Sequence, residues 1–192
     1  MAQVASPPVR RLARAERRQQ ILDAATRAFA RTGFAATSLD NIAAEAGVSH
    51  VILYRHFASK ADLYRAVLDR ARTRLSETVG TDQFDEGTIP VLLRAATVDP
   101  DAFRLLFRHA AREPEFRDVI DTMRSASTDI AQHNLAERIP DGPWQQWAAR
   151  LLPTVTLEAV IAWLDTGQPD PDRAADHIGR AVDAVIQSAQ TA

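Results

Sequence analysis

The stretch Thr37-Ser38-Leu39-Asp40-Asn41-Ile42-Ala43-Ala44-Glu45-Ala46-Gly47-Val48-Ser49-His50-Val51-Ile52-Leu53-Tyr54-Arg55-His56 decides the fold. Thr37 or Ser38 offers a side-chain oxygen to cap a short helix, and Leu39, Ile42 and Ala43 then fall on one face at helical spacing. Gly47 supplies a sharp turn, and Ser49 caps another short helix over His50–His56. Ile42, Ala43, Ala46, Val48 and Leu53 pack the two short helices into a unit, and the outer face of the second stays free. This is a helix-turn-helix, whose second helix fits a major groove ~12 Å wide.

Before this stretch, Ile21, Ala24, Ala25, Ala28 and Phe29 recur at three-to-four spacing. They predict a helix from about Glu16 to a carboxyl-terminal cap at Gly33. After it, Ser59 and Asp62 form a capping box that opens a long fourth helix, ending near Thr78 before Gly80. Prolines then mark helix starts: Asp99-Pro100, Glu113-Pro114 and Gly142-Pro143 each read as a cap followed by a first helical residue. They open helices over 100–112, 114–138 and 143–164. A further helix is expected between Thr88 and Ala96, and a last one from Asp172 to about Ala189. Pro153 lies inside the eighth pattern and predicts a kink there, or a split at Leu152. No window alternates as a strand does. The fold class is all-α, a three-helix amino-terminal domain plus a larger helical domain, about nine helices in all.

The net charge of −2 hides an asymmetry: residues 1–65 hold ten basic against five acidic residues, and the remainder thirteen against twenty. A basic front and an acidic body suit a chain with one end against phosphates. The absence of cysteine excludes disulfides, thiolate nucleophiles and cysteine metal sites, and fits a reducing cytoplasm. No run approaching the ~18–20 apolar residues of a membrane span is seen, and the first eighteen residues lack the apolar block of a secretory signal. His109 with Glu113, and His133 with Glu137, share helix faces, but two ligands are too few for a metal. No Gly-rich phosphate loop or nucleophile motif occurs, so neither an enzyme nor a cofactor is expected.

The wording of the front end is specific. Gln20-Ile21-Leu22-Asp23-Ala24-Ala25, Phe29, Gly33-Phe34, Thr37-Ser38, Ile42-Ala43, Ala46-Gly47-Val48-Ser49, Leu53-Tyr54, His56-Phe57, Ser59-Lys60 and Leu63 resemble the amino-terminal domain of the TetR family of bacterial repressors. The resemblance covers about Arg17 to Arg65. It implies a homodimer that binds a palindromic operator on double-stranded DNA and lets go when a small lipophilic molecule occupies the body. The alternative is a helix-turn-helix regulator without a ligand, controlled by a protein partner. The implied division is a flexible basic tail over 1–15, the DNA-binding domain over 16–60, and an effector-binding and dimerisation domain over 61–192.

Carried onto this sequence, Thr37 and Ser38 would hold phosphate, while Tyr54, His56 and Lys60, the only lysine in the chain, would grip the backbone. Ser49 and Arg55 belong to the same surface. Base reading would fall to His50, Val51 and Ile52. Here the sequence departs from the family, which usually places Gly, Ala or Pro where Val51 stands and a small or hydroxylated residue at Ile52. Neither side chain can donate a hydrogen bond, so thymine methyls are the expected partners, with His50 as the hydrogen bonder, unless Ile52 turns into the core. Arg10, Arg11, Arg14, Arg17 and Arg18 stand ready for phosphates or a minor groove.

In the body, the segment from Leu157 to Leu164 is apolar on nearly every side, which predicts burial on every side. The expected dimer interface is therefore Val160, Ile161, Trp163, Leu164, Ile178, Val182, Val185 and Ile186, a four-helix contact. An effector pocket is expected around Phe84, Phe103, Phe107, Phe116, Ile120, Met123, Trp144 and Trp147; plain core is the competing reading.

Overall fold

A computed structural model describes residues 13–80 and 87–190. Nine α-helices occur among the described residues: α1 (Arg14–Ala36), α2 (Leu39–Glu45), α3 (His50–His56), α4 (Lys60–Val79), α5 (Thr88–Val98), α6 (Pro100–Arg104), α7 (Arg117–Leu135), α8 (Pro143–Asp165) and α9 (Pro171–Gln190). The expected tail up to residue 12, with Arg10 and Arg11, lies outside the described residues, and so does Phe84.

The caps form where hydroxyl side chains stand at helix starts. Ser38, not Thr37, accepts the Asn41 N–H at 3.1 Å. Ser49 accepts from Ile52 at 3.4 Å. Ser59 accepts from Asp62 at 3.0 Å, while the Asp62 carboxylate takes the Ala58 N–H at 2.8 Å, completing a reciprocal box. Gly33, as expected, ends the regular part of α1. It takes φ 76°, breaks the helical geometry for one residue, and the chain resumes to Ala36.

Two proline-led segments depart from plain helix. After α6 the backbone forms a π-helical turn over Leu105–His109, then short 3-10 turns at Ala110–Arg112 and Pro114–Phe116. The π turn packs Leu105, Leu106 and Ala110 inward against α1 and α4. Pro153 neither splits nor ends α8, which runs unbroken through it. The Thr154 and Thr156 hydroxyls donate back to the Arg150 and Leu152 carbonyls around the proline, at 3.3 and 2.9 Å. Contrary to the sequence expectation, α8 is long and apolar enough to cross a membrane by length and composition. It lies instead between α7 and α9, with Ala148, Ala149, Val160, Ile161, Trp163 and Leu164 buried.

That packing corrects the expected dimer residues. Val160, Ile161, Trp163, Leu164, Ile178 and Ile186 are buried inside one protomer, and Val182 and Val185 are partly covered there. The Trp163 indole donates to the Pro169 carbonyl of its own chain at 2.7 Å. The apolar girdle is satisfied by α5, α6 and α9.

A single apolar cluster runs from α1–α3 through α4 into the 102–120 segment. Its centre is aromatic. The Tyr64 ring stands edge-on to Phe29 at 4.8 Å and lies 5.0 Å from Phe34 and 4.6 Å from Phe116. Its hydroxyl is buried without a hydrogen-bond partner. Burial, and secondarily the charge of Glu113, pushes that phenol well above its ordinary value. Because a lone buried hydroxyl loses its hydration for nothing in return, Tyr64→Phe should leave the melting temperature equal or raise it by ~1–3 °C. Calorimetry of the purified variant checks this, and a clear drop would mean that the hydroxyl has a partner.

Candidate nucleic-acid interface and ligand cavity

Helix α3 fully buries only Leu53, while His50, Val51, Tyr54 and Arg55 are exposed. Val51 and Tyr54 are 62% and 51% exposed, and Arg55 is exposed. His50 shows 43% of its side chain. Ile52 is half-buried and is not part of the core clusters. His56 is half-buried beside the start of α1; burial, then the charges of Arg14, Arg18 and Arg17, push its pKa down. These three arginines of α1 lie near enough for their charges to act on His56. Arg18 lies over the Phe57 ring at 4.9 Å.

Two expected phosphate ligands are committed internally. Thr37 is 3% exposed; its hydroxyl donates to the Gly33 carbonyl at 2.7 Å and lies 2.7 Å from the Thr32 hydroxyl. Lys60 directs its ammonium at the end of α1, reaching the carbonyls of Phe34 at 2.9 Å, Thr37 at 3.1 Å and Ala35 at 3.3 Å. It also stands 4.5 Å above the Phe34 ring. Those carbonyls are the unpaired acceptors at a helix carboxyl end, where a cation is favoured. Ser38 and Ser49 remain exposed. Each uses its oxygen lone pairs to cap a helix, leaving the hydroxyl proton available.

Long-range polar links hold the unit, and sequence spacing gives no sign of them. Gln20 donates to the Ala46 carbonyl at 2.8 Å, pinning the turn, while Arg17 donates to the Gln20 oxygen. Glu45 accepts from both Arg27 and Arg31, tying α2 to α1; the bond from Arg31 leads in holding its carboxyl below the ordinary range. Arg70, with only 13% of its side chain exposed, joins α4 to α1 through Asp23 at 2.6 Å and Thr26 at 2.8 Å.

The body holds a half-open cavity of about 1110 Å³ among α4, α5, the π turn, α7, α8 and α9. Leu75 and Val79 of α4, Leu92, Ile130, Leu157 and Ile186 join Phe107, Ile120 and Met123 in its wall. Of the seven expected residues that are described, these last three line it. Phe103 and Phe116 are core side chains, 3% and 1% exposed. Trp144 and Trp147 form an exposed edge-to-face pair at 6.0 Å. The expectation followed aromatic content, whereas the apolar part of the wall is mostly aliphatic. The signal available was the pair of apolar residues Leu75 and Val79, one turn apart near the end of α4. Among the described residues, no three histidine or carboxylate side chains gather as a metal site would require.

A three-helix head with an exposed second short helix, on a helical body with a central cavity, defines a helix-turn-helix transcriptional regulator. Residues 21–67 match the bacterial regulatory proteins of the tetR family. The chain is 32% identical over 180 residues to the HTH-type transcriptional activator FasR of Mycolicibacterium smegmatis, covering 86% of this chain and 81% of that protein. A TetR-like transcriptional regulator from Rhodococcus sp. RHA1 superposes with a TM-score of 0.77 at 25% identity, over 92% of this chain and 97% of that one. NalD, the secondary repressor of the MexAB-OprM multidrug efflux pump in Pseudomonas aeruginosa, shares the fold with a TM-score of 0.67 at 22% identity, over 90% and 98%. The chain belongs to the TetR family of transcriptional regulators.

The position of Lys60 separates two roles. As a cap of α1, Lys60→Met should lower stability by about 1 kcal/mol, or ~2–4 °C, while the salt dependence of DNA affinity keeps its slope. A phosphate contact would show the reverse, a slope reduced by ~1 with little change in melting.

Proposed function

We propose that this chain is a ligand-responsive repressor that binds a palindromic operator as a homodimer and leaves it when a small lipophilic molecule occupies the cavity. The observation that carries this reading is the reach of α4. Its first turns hold the head through Lys60, Tyr64 and Arg70, and its last turns supply Arg72, Leu75, Ser76 and Val79 to the cavity wall. At 1.5 Å per residue such a helix spans ~30 Å, so a ligand that displaces its far end swings the head. A coupling of ~1–3 kcal/mol changes occupancy by five- to 150-fold. The activator name of the mycobacterial relative and the repressor name of NalD indicate that similar proteins serve either sign; release by ligand favours repression here.

In this reading, residues 16–60 form the DNA-binding unit and 61–192 the effector and dimer unit, working in the bacterial cytoplasm. Ser38, Ser49, Tyr54, Arg55, His56 and the arginines of α1 meet phosphate, while His50, Val51 and Ile52 face base edges. The dimer surface moves to the face of α8 that carries the exposed Trp144, Trp147 and Ala162 and the half-buried Leu151 and Val155, beside the small residues Ala181, Ala184 and Ser188 of α9. Two-fold pairing there would set the reading helices about one DNA turn apart, ~34–36 Å.

Selection of bound duplexes from a random pool should return an inverted repeat with half-site centres ~10 base pairs apart and T·A pairs under Val51 and Ile52. No enriched sequence at modest salt would overturn the function, and a repeat without T·A pairs would overturn the methyl contact. Trp144→Ser combined with Trp147→Glu should sediment as a monomer and lose at least ~10-fold in operator affinity. A variant that stays dimeric would rule out this interface.

A further inference from the structure

Asp40, in the first turn of α2, lies on the exposed side of the head with 83% of its side chain open to solvent. Its Oδ1 stands 3.0 Å from Nε2 of His50, the first residue of α3. A lone pair on Nε2 at that distance from a carboxylate oxygen would be repelled, so the ring proton is favoured on this nitrogen. In a neutral imidazole one nitrogen donates and the other accepts. The proton on Nε2 therefore leaves a lone pair on Nδ1, which has no hydrogen-bond partner among the described residues. The Tyr54 ring, one turn further on, stands at 88° to the imidazole with centroids 5.2 Å apart.

We infer that Asp40 is a positioning residue for base recognition: it holds His50 in the tautomer whose Nδ1 accepts, directing the protein to a base with an exposed amino group. In the major groove that means adenine N6 or cytosine N4; guanine, which offers only the acceptors N7 and O6, is refused. This inference rests on the assignment of α3 as the reading helix. It adds a specificity determinant on α2 that acts through a side chain of α3 and need not touch DNA.

The test is duplex selection with the full-length protein at pH ~8, comparing wild type, Asp40→Asn, Asp40→Ala and His50→Ala, with thermal melting as a folding control. The wild type should prefer A or C at one half-site position, and His50→Ala should erase that preference. Asp40→Asn can turn its amide N–H to Nε2, moving the ring proton to Nδ1, and should shift the position toward guanine. Asp40→Ala frees both tautomers and should reduce discrimination there by about tenfold. All variants should melt close to wild type, because the side chain is exposed. Unchanged base preference in both Asp40 variants overturns the inference, as does an Asp40→Asn effect that persists in the His50→Ala background. If the wild type itself selects no sequence, it is the DNA-binding reading that fails, a separate outcome.

Discussion

The amino end of α4 cannot part from α1 without exposing an unpaired ammonium, an aromatic centre and a buried guanidinium together. Lys60 caps the last carbonyls of α1, Tyr64 fills the space between Phe29, Phe34 and Phe116, and Arg70 sits against Asp23 and Thr26. Burial lowers the pKa of Arg70, but its bond to Asp23 works the other way. Each contact would be modest on a surface; sharing one apolar cluster makes them act together. The head and the first half of α4 therefore behave as one rigid piece, and the orientation of α3 follows from it.

The far half of α4 lives under a different regime. Around it the helices border a half-open space, whose apolar wall is joined by many polar and charged side chains, Arg72, Asn134, Glu158 and Arg180 among them. Three irregularities border this space or its supports: the π turn carrying Phe107, the proline within α8, and the one-residue break at Gly33. His109, at the end of the π turn, has its ring nitrogen 3.6 Å from where a side chain on Gly33 would begin. Burial is the main cause that pushes its pKa down. Such departures from regular backbone tend to occur where a fold must accommodate something besides itself.

Local chemistry was readable from the sequence, and long-range partnership was not. Caps at Ser49 and Ser59, the turn at Gly47 and the extents of α3, α4 and α9 follow from neighbours a few residues apart. The resemblance of the front end to a known family supplied the functional class. What spacing cannot reveal is which side of an apolar helix its own chain will cover, and α8 shows this. Its girdle from Leu157 to Leu164 asked for burial, and α5, α6 and α9 of the same protomer provide it. Phe116 and the pair Trp144 and Trp147 misled for a related reason, since aromatic character alone does not separate core, cavity and surface. Lys60 stood out by composition, yet its partners lie 23 to 26 residues away. Asp40 carried no signal at all until α2 and α3 were placed together.

Helix α3 gives the core a single anchor, Leu53. The exposed positions His50, Val51, Tyr54 and Arg55 contribute little to the core, so they can change identity at small cost to the native state. Recognition and foldability are thereby uncoupled within seven residues. A lineage built on this scaffold can move from one operator to another by surface substitutions alone, while the aromatic centre beneath stays fixed.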